Sequence, residues 1–148
     1  MRSITVAHSY PAGAARAEAA WSDLDRWPAF VDGFRDVVRV TGTWPQEGAA
    51  VTWESVEGGR GRVVERVVEH TPGAALRVAF EDTKMRGERE IRFASEDDGA
   101  VRAELTLTYE LGGRGPLKML TDLLFINPQL RQSLQRELES FAEVLEGA

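Results

Sequence analysis

Two histidines, His8 and His70, and no cysteine set the first limit on what chemistry this chain could perform. The absence of cysteine rules out disulfides, thiolate metal sites and cysteine nucleophiles. Each histidine falls in a run that reads as a strand, with no acid at a recognisable spacing, so neither is expected to act as a general base. A metal ion needs three or four ligands, and no such cluster is visible. No serine sits in a nucleophile-elbow pattern, and Gly58-Gly59-Arg60-Gly61 lacks the helix and lysine of a phosphate loop. What remains are single polar residues in phase with apolar neighbours: Ser55 with Val51 and Trp53, Arg89 with Met85 and Ile91, Tyr109 with Leu107. In the run from Arg60 to His70, Arg62 and Arg66 share phase with Val64 and Val68, whereas Glu65 shares phase with Val63 and Val67. A bulge would exchange the two faces, so alternation leaves both open. A buried guanidinium without a partner is costly. Arg89 therefore reaches solvent at the sheet edge, pairs with an acid such as Glu65, or meets a polar group of a ligand. No catalytic residue, cofactor or metal is expected from this inventory.

The elements that must carry these residues are legible from periodicity. From Val101 to Leu111 apolar and polar residues alternate without a break, the mark of a strand with one dry and one wet face. Further strands are expected over Arg2–Tyr10, Asp36–Thr41, Ala50–Val56, Arg60–His70, Ala75–Glu81 and Met85–Ala94, separated by short Gly, Pro and Asp turns. Short connections imply antiparallel neighbours in a meander. Between the first two strands, the Ala-rich stretch Ala12–Ser22 and the segment Pro28–Phe34 read as two short helices. From Leu117 to Leu145 the spacing becomes helical, with Pro128 expected to kink or break that helix. The fold class is therefore α+β: a seven-stranded curved antiparallel sheet wrapped around a long C-terminal helix, one domain spanning residues 1–148. Arg86, Glu88, Glu90 and Arg92 should lie beside Arg102, Glu104, Thr106 and Glu110 on a solvated convex face, as scaffolding.

The formal net charge of −6 comes with Arg and Glu interleaved along strands rather than a basic run, which argues against nucleic acid as a partner. No apolar run approaches the roughly 18–20 residues that span a bilayer, and the N-terminus lacks a signal-peptide core, so no integral membrane segment and a cytoplasmic location are expected.

With this element order in place, the chain resembles the START-like, or SRPBCC, superfamily with its helix-grip fold. It is most similar to bacterial members of the polyketide cyclase/dehydrase and lipid-transport type and to the coenzyme Q-binding branch. The resemblance rests on Ser22-Asp23 followed by Arg26-Trp27-Pro28-Ala29-Phe30, on Ile91 and Phe93, and on Thr106-Leu107-Thr108-Tyr109-Glu110-Leu111. Ala17 and Glu18 stand where that family often has a bulky pair. The resemblance implies a cavity for a lipophilic small molecule between sheet and C-terminal helix. The residues agree, since a bent sheet facing a single helix leaves more room than that helix fills. The expected lining is Val38, Val40, Val51, Trp53, Leu76, Val78, Phe80, Arg89, Leu105, Leu107 and Tyr109, with Leu120 and Leu124 from the helix. Leu117–Ile126 is apolar around most of its circumference, making Leu123–Pro128 a candidate gate or an interface, and Gly112–Gly115 a candidate hinge. Three functions fit. The first is binding or transport of a polyketide, lipid or isoprenoid, without catalysis. The second is a polyketide aromatase/cyclase in which Arg89, Tyr109 or Glu65 assists proton transfer. The third is an interaction module docking through the C-terminal helix, in which a homodimer rather than a monomer would bury Leu123–Ile126.

Overall fold

The period-two segments pair as their short turns require. In the computed structural model, which describes residues 1–112 and 125–147, the strands are β1 (Arg2–Tyr10), β2 (Phe34–Thr41), β3 (Ala50–Ser55), β4 (Arg62–Thr71), β5 (Ala75–Glu81), β6 (Met85–Ser95) and β7 (Val101–Leu111). They form one antiparallel sheet in the order β1-β7-β6-β5-β4-β3-β2, so only β1 departs from sequence neighbourhood, joining the sheet beside β7. Between β1 and β2 come α1 (Ala14–Ser22), a 3₁₀ turn (Leu24–Arg26) and α2 (Trp27–Phe30); α3 (Asn127–Gly147) follows β7.

The outer face is the expected charged lattice. Arg86 lies opposite Glu110, and Arg92 opposite Glu104. Arg77 of β5 reaches Glu69 at 3.2 Å and Glu88 at 3.0 Å. The inner face is dry. Ile4, Val51, Trp53, Val63, Ile91, Val101, Ala103, Leu105 and Tyr109 are almost wholly removed from water. Gly87 sits among them in β6, opposite Tyr109. A Cβ there would stand 1.9 Å from the Thr108 carbonyl oxygen, so only glycine permits this close approach of β6 and β7.

The helices cover the inner face through aromatic rings. Leu134, Leu138, Phe141 and Leu145 of α3 are buried, the stripe that spacings of four and three predict. Phe141 packs with ring centroids 5.0 Å from Trp21 of α1, 5.0 Å from Phe30 of α2 and 5.5 Å from Tyr10 of β1. Such pairs contribute about 0.5–1.5 kcal/mol each beyond the area they bury. The Tyr10 hydroxyl donates to the Leu138 carbonyl at 2.6 Å, and burial pushes this phenol well above its ordinary pKa. Pro128 falls in the first turn of α3, directly after residues 125–126, whose backbone is π-helical, so the helix changes geometry at the proline as expected.

Strand β2 departs from the expectation. Irregularities between Phe34 and Asp36 and between Val37 and Arg39 shift its register, placing Val37 opposite Trp53 and Val40 opposite Val51. Val38 is the residue the second bulge displaces, so it does not join the inner row. Val38 and Val40 are 47% and 42% exposed, because β2 is the edge strand and its rim position leaves even the in-phase Val40 open to solvent.

Candidate functional site

The regular strands bring most of the expected lining residues together. Rows across the sheet run Val51, Glu65, Phe80, Gly87, Tyr109 and, one step along, Val67, Val78, Arg89, Leu107, Ile4. Leu76 and Leu105 stand in the next row with Ile91. Leu120 and Leu124, and all of the Leu117–Ile126 segment except Phe125 and Ile126, lie outside the described residues, as does the 113–115 part of the candidate hinge. Of the candidate gate only Phe125 to Pro128 is described; there Phe125 is exposed, while Ile126 packs against the core.

On β4, Val63, Glu65 and Val67 face inward, and Arg62, Val64 and Arg66 face out. A register shift between Val67 and Glu69 then turns His70 inward. Glu65 is buried, and its Oε2 accepts from the indole Nε1 of Trp53 at 2.6 Å. This indole is the donor that allows a carboxylate to sit on an apolar face.

Arg89 is not at a sheet edge. It projects from the middle of β6, its side chain 11% exposed, and Nη2 donates to Glu137 Oε2 at 2.5 Å. Its guanidinium also lies 5.6 Å from the centre of the Trp21 ring. Burial works against its charge, yet Glu137 and Glu65 hold its pKa above the ordinary arginine value. Glu137 is 2% exposed, and its other oxygen accepts the backbone N–H of Asp32 at 3.1 Å. One carboxylate of α3 thus ties the sheet centre to the turn after α2. Periodicity could have found Glu137, three residues after Leu134 and four before Phe141 on the buried stripe.

A neighbouring tie lies nearer the surface. Asp32 accepts from Ser133 Oγ at 2.6 Å and from Arg136 Nη2 at 3.0 Å. Partial burial would raise the Asp32 pKa, but Arg136, Ser133 and more distant Arg60 together hold it below the usual carboxylate value. Arg60, from the β3–β4 turn, caps the rings of Trp53 and Phe80 at 5.4 Å from each and pairs with the buried Asp82 at 2.9 Å.

Between these groups the described residues enclose a cavity of about 20 Å³, measured to the centre of a water-sized sphere. That is room for about one water molecule. Leu76, Val78 and Arg89 of the expected lining border it, together with Glu65, Ile91, Trp21, Trp27, Phe30 and Val31. The last four come from the α1–α2 region. Beneath the C-terminal part of α3 the rings of Trp21, Phe30, Phe93 and Phe141 pack against one another.

A second, open groove of about 460 Å³ lies between α1 and the β2–β3 loop, lined by Glu18, Ser22, Trp44 and His70 among others. Here His70 does have a paired acid: Nε2 lies 3.1 Å from Glu18 Oε1, which also accepts the Gly73 N–H at 2.9 Å, while Ser22 Oγ donates to Oε2. The partner is 52 residues away, which no local spacing reveals. Among the described residues no group of three acids or histidines could hold a metal ion, and no helix is long and apolar enough to cross a membrane.

Solved structures share this architecture. TTHA0849 from Thermus thermophilus is 22% identical, with 99% of each chain covered and a TM-score of 0.77. Protein CV1439 from Chromobacterium violaceum is 17% identical over 97% of each chain, with a TM-score of 0.66. Norcoclaurine synthase from Thalictrum flavum, in complex with dopamine and hydroxybenzaldehyde, is 13% identical over 99% of this chain and 87% of that one, with a TM-score of 0.71. At these identities the likeness is one of fold. No curated protein sequence matches the chain. The START-like resemblance is borne out at the level of family, since the model for polyketide cyclase / dehydrase and lipid transport proteins matches residues 1–146: the chain belongs to that family.

Proposed function

We propose that the chain binds a lipophilic small molecule, a polyketide, lipid or isoprenoid, against the inner face of the sheet, and that it does so without catalysing a reaction. The observation that carries this reading is the Arg89–Glu137 pair with Glu65 beside it, set within otherwise apolar rows and bordering a small cavity. A buried ion pair is weak evidence for stability, because apolar residues of the same volume would usually serve the fold as well. Its place at the centre of an apolar face suits a pocket that holds an oily molecule by its bulk and orients it by one polar end. The cavity that the described residues enclose is far below the roughly 300–1,000 Å³ of ligand pockets and suits a ligand's polar end. Trp21, Trp27 and Phe30 border it, so occupancy would change the surroundings of two indoles. Native mass spectrometry of protein purified from cells, followed by solvent extraction, tests the reading. The expected result is a one-to-one complex with an extractable lipophile, accompanied by a change in tryptophan fluorescence on reloading. A protein that carries none and takes up none from a panel of isoprenoids, fatty alcohols and aromatic polyketides refutes it.

A further inference from the structure

Resting on that reading, we infer that the polar end of the ligand is a hydrogen-bond donor without negative charge, a hydroxyl or a protonated amine, and not a carboxylate or phosphate. An arginine inside an apolar pocket invites the opposite conclusion, since guanidinium and carboxylate form the strongest of the common side-chain pairs. Here that position is already taken. Arg89 is engaged by Glu137 at 2.5 Å, and Glu65 borders the same small cavity as Arg89. One guanidinium thus faces two buried carboxylates.

The other cations on this side do not restore the balance. Arg60 is paired with Asp82 at 2.9 Å, and Arg136 with Asp32 at 3.0 Å. His70 lies against its own acid, Glu18. Among the described residues the central trio is one positive charge short. A ligand carboxylate would bring a third negative charge to a single guanidinium, in surroundings where an uncompensated charge is costly. A hydroxyl or ammonium group would instead donate to Glu65, whose carboxylate otherwise accepts from Trp53 Nε1 at 2.6 Å. The cavity beside Glu65 and Arg89, with room for about one water, is the place for that donor.

The test uses three probes with one chain length, decan-1-ol, decylamine and decanoate, titrated calorimetrically into the full chain at neutral pH. Decanol and decylamine are expected to bind at least tenfold tighter than decanoate. In Glu65→Gln the trio becomes neutral and the gap between decanol and decanoate is expected to close to within threefold. Should Glu65→Gln not fold, Glu137→Gln removes the other carboxylate and is expected to narrow the same gap. Decanoate binding as tightly as decanol to the unmodified protein overturns the inference while leaving lipophile binding intact. A preference unmoved by either substitution overturns it as well, because the discrimination then arises elsewhere. Failure of all three probes to bind overturns the inference, whereas the underlying function falls only if the protein also carries no lipophile and takes up none from the wider panel.

Discussion

Removing Arg89 should be far more damaging than removing Glu137, although the two are partners in one ion pair. In Glu137→Gln the buried set becomes one guanidinium and one carboxylate, Arg89 and Glu65, and the amide can still accept from Asp32 N–H. In Arg89→Met two buried carboxylates, 2% and 5% exposed for Glu137 and Glu65, are left without a cation. Breaking a buried pair so that a charge is stranded costs about 3–5 kcal/mol, whereas loss of one charge-assisted hydrogen bond costs about 1.5–3 kcal/mol. The expected losses are therefore about 4 kcal/mol for Arg89→Met and about 2 kcal/mol for Glu137→Gln. For a domain of this size that corresponds to falls in Tm of about 8–16 °C and about 4–8 °C. The double replacement Arg89→Met/Glu137→Leu should recover part of the single-arginine loss, since only Glu65 then remains charged. Urea unfolding followed by circular dichroism, with m-values compared to ensure a common unfolded state, measures all three. Equal losses for the two single variants would show that Glu65 and Arg89 do not act as one electrostatic unit.

Gly87→Ala places a methyl group 1.9 Å from a main-chain oxygen, so it should cost about 3 kcal/mol or more in urea unfolding, an unusual sensitivity for a strand glycine. Glu18→Ala strips a buried acceptor from Ser22, His70 and the Gly73 N–H, with an expected loss of about 2–4 kcal/mol that Glu18→Gln should roughly halve. Phe141→Ala should lose about 3–5 kcal/mol and leave an apolar void among Tyr10, Trp21 and Phe30, detectable as xenon or benzene uptake. Asp32 has a folded pKa below its unfolded value, so the stability it contributes is present above the unfolded pKa and fades as pH falls through the folded one. Asp32→Asn should therefore flatten the acid limb of the stability profile below about pH 4, measured by thermal melts across pH.

How far these features can be read in advance depends on the regularity of each strand. In β7 eleven residues alternate without interruption, so phase alone places Leu105, Leu107 and Tyr109 inward. The pairing of charges outside β6 and β7 follows from the same regularity. In β2 two bulges break the period within a few residues, and no glycine or proline in Phe34–Thr41 announces them; alternation therefore puts Val38 in the wrong row. Strand β4 shows the middle case, since its alternation is sound up to Val67 but its phase is anchored only by knowing what Glu65 touches. The polar contacts that give the site its character join residues 48 and 52 positions apart, Arg89 with Glu137 and His70 with Glu18. Such pairs are decided by how elements pack, and a one-dimensional pattern carries no term for them. Glu137 is the instructive exception: it stands on the apolar stripe of its own helix, and a charged residue in that position signals a buried partner.

The bulged rim strand has one further effect, on how molecules of this protein meet each other. A seven-stranded open sheet presents two unpaired borders, and β2 is one of them, bearing Val37, Val38 and Val40 with little covering. A straight border of that composition would template the addition of a neighbour's backbone. Two offsets within eight residues spoil the spacing of free N–H and C=O groups that such growth requires, while Arg35, Asp36 and Arg39 set charges along the same stretch. The irregularity that hides Val38 from sequence reading is thus also of the kind that works against edge-to-edge pairing between copies.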